Sequence, residues 1–186
     1  MRIEPKNLKD YPWYLRPFFS AQRKKYGSPL NSSLLWARSP RLFLGLSFLY
    51  GALDRKTSPI SPALRSLIIV RVSQLNGCAF CVDLNSSILM ERGVSFSKVE
   101  ELGNWQKSKL FNDEEKVVLE YTEAITITEK RVSEDLFKKL KKFFTDDQII
   151  ELTATIAFQN MSTKFNTALD VPSQGFCSPP LASVTR

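Results

Sequence analysis

The stretch "LNGCAFCVDLN", Leu75–Asn85, holds two cysteines three positions apart, Cys78 and Cys81. Two thiols at this spacing could cycle between dithiol and disulfide, supply half of a zinc site, or pack as small apolar side chains. The third cysteine, Cys177, is distant in sequence, and the chain contains no histidine. A structural zinc takes four ligands, so two thiolates with one remote cysteine and no imidazole leave the set short. Neither a metal nor another cofactor is expected.

Redox chemistry at the pair depends on where a helix begins. Residues three apart share a helix face. Asn76 and Gly77 suit a break between two helices, which puts Cys78 in the first turn of the second. There the macrodipole and the free N–H groups favour thiolate over thiol, and in a reducing compartment such a pair can cycle. On this ground alone Cys78 is the better nucleophile. Groups that could move its protons are few. Asp83, two residues after Cys81, should face another side of the helix and suits a structural role in the N-terminal turn. Glu91 lies roughly 15 Å further along the same helix. Glu151, within "IIELTATIA", is either a surface or interface charge or a buried carboxylate with a raised pKa. Asp83 and Glu151 are therefore the auxiliary candidates.

Helices must position this pair. Ser39–Pro40 and Ser61–Pro62 each offer a capping serine followed by a proline at the first helical position. "SKVE" (Ser97, Glu100), "NDEE" (Asn112, Glu115) and "TDDQ" (Thr145, Gln148) resemble capping boxes. Gly93 followed by Val94 suits a left-handed helix stop. Val117, Val118, Tyr121, Ala124 and Ile125 recur at helical spacing, as do Ile149, Leu152 and Ile156, continued by Phe158, Met161, Phe165 and Leu169 up to Pro172. Leu67–Val72, "LIIVRV", is β-branched enough to pass for a buried strand, and "ITIT" at Ile125–Thr128 could supply another; a strand before CxxC would be the thioredoxin arrangement. The Ser61–Pro62 start favours a helix. The expected class is all-α with about seven to nine helices and the CxxC at the N-terminus of a central one. Residues 1–186 form one domain, with an aromatic helical extension over 1–38 and a loop-like, flexible tail over 173–186.

The 186 residues carry a net charge of +7. The basic residues are scattered; the densest run, Lys138–Lys142, is interleaved with Leu136, Phe137, Leu140, Phe143 and Phe144 and reads as the solvated face of an amphipathic helix. No nucleic-acid motif accompanies it, so no nucleic-acid partner is expected. No apolar run is long enough to span a bilayer and no apolar signal region opens the chain, so the expected setting is the cytoplasm, away from membranes.

"LRSLIIVRVSQLNGCAFCVDLNSSILMERGVS" resembles the signature of the carboxymuconolactone decarboxylase family, in its alkylhydroperoxidase (AhpD-like) branch. The likeness continues through "FNDEEKVVLEYTEAITIT" and "VSEDLFKKLKKFFTDDQIIELTATIAFQNMSTKFNTALDVP", roughly Pro40 to Pro172. It implies an all-helical fold assembled into homo-oligomeric trimers or hexamers. In the peroxidase members the CxxC pair reduces hydroperoxides and is re-reduced by a dithiol protein or small thiol. It also implies that Cys81 attacks the peroxide and Cys78 resolves it, opposite to the preference from helix-terminus physics.

Two departures qualify the match. The family's glutamate, twelve positions before the first cysteine, falls on Ser66. Its histidine, four positions after the second, falls on Asn85. In the peroxidase members these two form a proton relay; here both are neutral and neither is a base near pH 7. Three functions follow as expectations. First comes a thiol-dependent antioxidant protein acting on hydroperoxides through Cys78 and Cys81. Second comes a catalytically weak or inactive oligomeric ligand-binding member. Last comes a lactone decarboxylase, disfavoured for want of acid–base groups. Cys177, in a Gly- and Pro-flanked tail, reads as a free thiol with room for an intermolecular disulfide.

Overall fold

The computed structural model describes residues 1–177. These form nine α-helices and three short 3-10 turns, with no strand among them. The helices are α1 (Arg16–Tyr26), α2 (Asn31–Trp36), α3 (Pro40–Leu53), α4 (Pro62–Leu75), α5 (Ala79–Glu91), α6 (Phe96–Glu100), α7 (Asp113–Thr126), α8 (Glu134–Leu140) and α9 (Asp146–Ala168). The fold is all-α, and no helix among the described residues is long and apolar enough to cross a membrane.

The ambiguous run "LIIVRV" lies inside α4. Its β-branched content has a tertiary cause. α4 is the central helix, packed against α5, α9 and α7, and it buries residues on every side: Leu64, Leu67, Ile68, Val70 and Val72 among them. A helix enclosed all round shows no amphipathic period and so imitates a buried strand. The main core joins these residues to Leu89 of α5, Val118 and Leu119 of α7, and Ile149, Leu152 and Ile156 of α9. Truncating one of them, such as Ile68 to alanine, removes about 2–5 kcal/mol. "ITIT" is the end of α7 followed by an extended C-cap, Ile127.

Helix starts follow local chemistry with two corrections. Both Asn112/Glu115 and Thr145/Gln148 form full capping boxes, and the Ser61 hydroxyl accepts from the Leu64 N–H. Ser39 precedes α3, but its side chain makes no capping bond. The N-cap of α6 is Ser95, not Ser97, because Ser95 Oγ accepts from the Lys98 N–H. Gly93 stops α5 as a Schellman motif, with Gly93 N–H on Met90 C=O and Val94 N–H on Leu89 C=O. α9 ends the same way before Pro172 is reached. Asp170 takes φ 53°, while Asp170 N–H and Val171 N–H bind Thr167 C=O and Asn166 C=O.

The N-terminal region packs through Tyr11, Leu15 and Phe19 against Ala37 and Phe43, leaving Trp13 and Tyr14 exposed. In the Lys138–Lys142 region, Leu136, Leu140 and Phe144 are buried while Phe143 is exposed. At the other end of the described chain, Asp83 binds the backbone after α9. Its carboxylate accepts from the N–H groups of Gln174, Gly175 and Cys177 at 2.9, 2.8 and 2.8 Å. The rest of the tail, 178–186, lies outside the described residues.

Candidate redox site

The turn carrying the cysteines is built from two helix ends that share it. Gly77, at φ 62°, terminates α4 as a Schellman motif: its N–H binds Gln74 C=O and the Cys78 N–H binds Ser73 C=O. The left-handed conformation at Gly77 is one that a side chain would disfavour. Cys78 then serves immediately as the N-cap of α5, its Sγ accepting from the Cys81 N–H at 3.3 Å. The turn is tied to α9, because Asn76 Nδ2 donates to Asn160 Oδ1 and Thr163 Oγ1 at 2.8 and 2.9 Å. Cys78 and Cys81 are joined as a disulfide with Cα atoms 5.2 Å apart.

Both cysteines are 2% exposed, but their surroundings differ. They share a small apolar cluster with Leu30, Leu35, Phe80 and Val171, against which Phe176 packs. Cys81 in addition borders a cavity of about 290 Å³, whose walls include Phe43, Leu46, Phe80, Leu84 and Phe158, with the exposed Phe18 and Tyr50 at its rim. Among the described residues, no Asp, Glu, Lys or Arg lines it. Although the Tyr50 ring is partly exposed, loss of solvent around its phenol and, after that, the Asp54 carboxylate push its pKa up.

The Cys81 sulfur has a side-chain partner that sequence reasoning did not find. Asn166 Nδ2 donates to Cys81 Sγ at 3.2 Å, and the Ser32 hydroxyl donates to Asn166 Oδ1 at 2.7 Å. One signal could have exposed it. Thr155, Gln159, Thr163 and Asn166 are spaced by four, four and three residues, a polar stripe at helical period, and all four are buried. A buried polar stripe of this kind marks groups that must find partners in the interior.

The other candidates are placed as follows. Asn85 lines the cavity, and its Nδ2 donates to the backbone carbonyl of Cys81 at 2.8 Å. Ser66 is buried on α4 and is not among the residues lining the cavity. Asp83 is engaged with the 174–177 backbone. Glu151 is not in the cavity wall; Arg55 holds it in a two-pronged ion pair at 2.6 and 3.0 Å. Glu91 faces Lys25 at 3.4 Å. Cys177 is buried, and burial first, then the Asp83 charge, pushes its thiol up. Among the described residues, no three His, Cys, Asp or Glu side chains converge as a metal centre would require.

Both the sequence and the fold have known relatives. Residues 41–124 match the carboxymuconolactone decarboxylase family model. The uncharacterized protein YnjA of Escherichia coli K12 is 40% identical over 173 residues, 93% of this chain and 95% of that protein. A structure of the debrominase Bmp8, in a cysteine-to-alanine form in complex with 2,3,4-tribromopyrrole, superposes with TM-score 0.85 at 22% identity, covering 100% of this chain and 98% of that one. The AhpD core structure of an uncharacterized peroxidase-related protein from Ralstonia eutropha JMP134 also gives TM-score 0.85 at 22% identity, covering 94% and 93%. A CxxC disulfide at the start of a helix, a 40% identical relative along nearly the whole chain and the matching family model together show that the chain belongs to the carboxymuconolactone decarboxylase family, with an AhpD-like fold.

Proposed function

We propose that the protein is a thiol-dependent oxidoreductase that reduces hydroperoxides through Cys78 and Cys81. The observation that carries this reading is the Cys78–Cys81 pair at a helix start with Cys81 bordering an uncharged organic-sized cavity. That asymmetry supports Cys81 as the attacking thiolate and Cys78 as the resolving thiol. The Cys81 thiolate attacks the terminal oxygen of ROOH and the O–O bond breaks. Cys81 becomes a sulfenic acid, and the alkoxide takes a proton from water. The Cys78 thiol then condenses with the sulfenic acid, forming the disulfide and releasing water. A dithiol protein or small thiol restores the pair by exchange, itself becoming a disulfide. This cycle needs a reducing setting, and we assign the cytoplasm.

The cavity wall, among the described residues, offers no carboxylate or imidazole. Losing an acid–base group costs on the order of 10²–10⁴ in rate, so turnover should be slow beside members that keep the relay. The test uses the reduced protein and one equivalent of cumene hydroperoxide. Two thiols should vanish together, and Cys78→Ser should prevent their joint loss while keeping the fold. Thiols that stay intact for hours would remove the enzyme reading.

The cavity supports a second reading. Its uncharged, aromatic wall suits a neutral, ring-sized ligand, and the Bmp8 structure holds a bromopyrrole. The chain would then be a catalytically weak or inactive ligand-binding member. Saturable binding of such rings by a protein unreactive toward peroxide would favour it.

Self-association is part of the proposal. α3 is apolar on most sides, yet Leu42, Phe48 and Leu49 are exposed, Phe48 to 82%. A helix apolar all round is normally covered. Copies of this chain, in trimers or hexamers, are the occupants we propose; light scattering at the monomer mass would contradict this.

A further inference from the structure

We propose that Asn166 is a catalytic residue of the Cys78–Cys81 site and Ser32 its positioning residue, the two holding Cys81 as a thiolate in place of a charged relay. This rests on the redox reading of the pair. Four carboxamides border the cavity: Gln22, Asn85, Gln159 and Asn166. Three give an N–H to oxygen: Gln22 to Ser33 Oγ, Asn85 to Cys81 C=O, and Gln159 to Ser73 Oγ. Asn166 gives its N–H to the Cys81 sulfur.

The orientation of that amide is fixed chemically. A thiolate or disulfide sulfur has no proton to donate, so the amide face turned to it must be the NH2. With the NH2 on that side, the Ser32 hydroxyl, 2.7 Å from Oδ1, donates to the opposite face. The main chain is anchored as well, since the Asn166 carbonyl accepts from Val171 N–H in the Schellman turn. Ser32, Asn166 and Cys81 are 9%, 2% and 2% exposed, so little water competes for these bonds.

A hydrogen bond to the charged form of a thiol lowers its pKa, and an amide does so at every pH because it does not titrate. The same N–H stabilises sulfur as a leaving group. When a reductant thiolate attacks Cys78 Sγ, the S–S bond breaks and its electron pair departs on Cys81 Sγ, facing Asn166. The titratable groups around Cys81 are Cys78 before it, Tyr26 of α1 and Tyr50 of α3 in the cavity wall, and Asp83 on its own helix. The Asp83 carboxylate is occupied by the 174–177 backbone.

The test is the pH dependence of Cys81 alkylation by iodoacetamide, read at the peptide level in the full chain carrying Cys78→Ser. Asn166→Leu should raise the Cys81 pKa by about one unit, with about tenfold slower alkylation at pH 7. Asn166→Asp, nearly isosteric, should raise it further by setting a negative charge against the sulfur. Ser32→Ala should give a smaller rise, and Asn166→Ser, which retains a donor, should recover part of the loss. An unchanged pKa in folded Asn166→Leu overturns the proposal. Should that variant fail to fold, unchanged values in Asn166→Asp and Ser32→Ala overturn it equally. The assay contains no hydroperoxide. A shifted pKa in a protein inert to peroxide would therefore leave the Asn166 role standing while the peroxidase reading fell, and the reverse pattern would do the opposite.

Discussion

Two buried polar networks in this molecule are built on opposite principles. Around Glu123 the protein gathers charge. The carboxylate accepts from Trp105 Nε1 at 2.7 Å, from Arg71 Nε and Nη2 at 3.1 and 2.6 Å, and from Lys130 Nζ at 3.0 Å. Around Cys81 it gathers only neutral donors, the Asn166 amide and behind it the Ser32 hydroxyl. The first knot joins α4 and α7 and involves none of the residues lining the cavity. The second stands at the sulfur proposed to attack the peroxide. Charges thus serve as pins between helices, while the proposed redox site, among the described residues, offers neutral donors and no carboxylate or imidazole in its cavity wall.

The largest expected effect lies on the neutral side. Cys81→Ser should reduce peroxide-driven thiol oxidation roughly 10⁴-fold or more, to background, since the attacking atom is gone. A folded Cys81→Ser protein that still oxidised Cys78 at the original rate would reverse the assignment of the two cysteines.

Next comes the charged side. Glu123→Gln should cost about 3 kcal/mol in urea unfolding, because it leaves Arg71 mostly buried with a weakened partner. Its Cys81 alkylation profile should not move, whereas Asn166→Leu should move that profile with far less loss of stability. Acid unfolding sharpens this contrast. Burial alone would raise the Glu123 pKa, but hydrogen bonds from Trp105, Arg71 and Lys130 outweigh it and hold the carboxyl below its ordinary value. Its stabilisation is therefore full above the unfolded-state pKa, about 4.3, and is lost as pH falls through the lower folded value. Below pH ~4 the wild type should lose stability more steeply than Glu123→Gln.

A smaller effect is expected from Asn85→His, which puts a base in the cavity wall beside Cys81. Peroxide reactivity near pH 7 should rise by about tenfold, short of a full relay because Ser66 is not a glutamate. An unchanged rate would mean that proton transfer does not limit the reaction. The smallest effect is Asp83→Asn. It should cost about 1–2 kcal/mol by weakening three backbone hydrogen bonds, and it should lower the Cys177 pKa, since the Asp83 charge contributes to its rise. Thermal melts and Cys177 alkylation would check both.

What was legible in the sequence was local. Asn76 and Gly77 encode a helix stop by residue type, so the break before the cysteines is legible without coordinates, whereas Cys78 caps α5 instead of standing in its first turn. Asn112 and Thr145 with their third-position partners were equally plain. Ser95 and Ser97 are both competent caps two residues apart, and only the chain's path selects Ser95. The end of α9 was misplaced because Asp170, not a glycine, adopts the left-handed conformation. The neutral network was hidden for a different reason. Ser32 and Asn166 are separated by 134 positions, and an asparagine in a helix ordinarily reads as solvated polar surface. Glu123 is similar, its partners Arg71 and Trp105 coming from two other parts of the chain. Long-range pairing of polar side chains leaves no periodic trace except the buried stripe Thr155, Gln159, Thr163 and Asn166.

The most direct test of a neutral site is the pH–rate profile for oxidation of the reduced protein by cumene hydroperoxide, from pH 5 to 10. With one attacking thiolate to form and no carboxylate or imidazole in the cavity wall, the rate should rise through a single ionisation, that of Cys81, and then level off. The midpoint should move upward in Asn166→Leu. A bell-shaped profile, whose second limb reports another group that must hold its proton, would contradict the account.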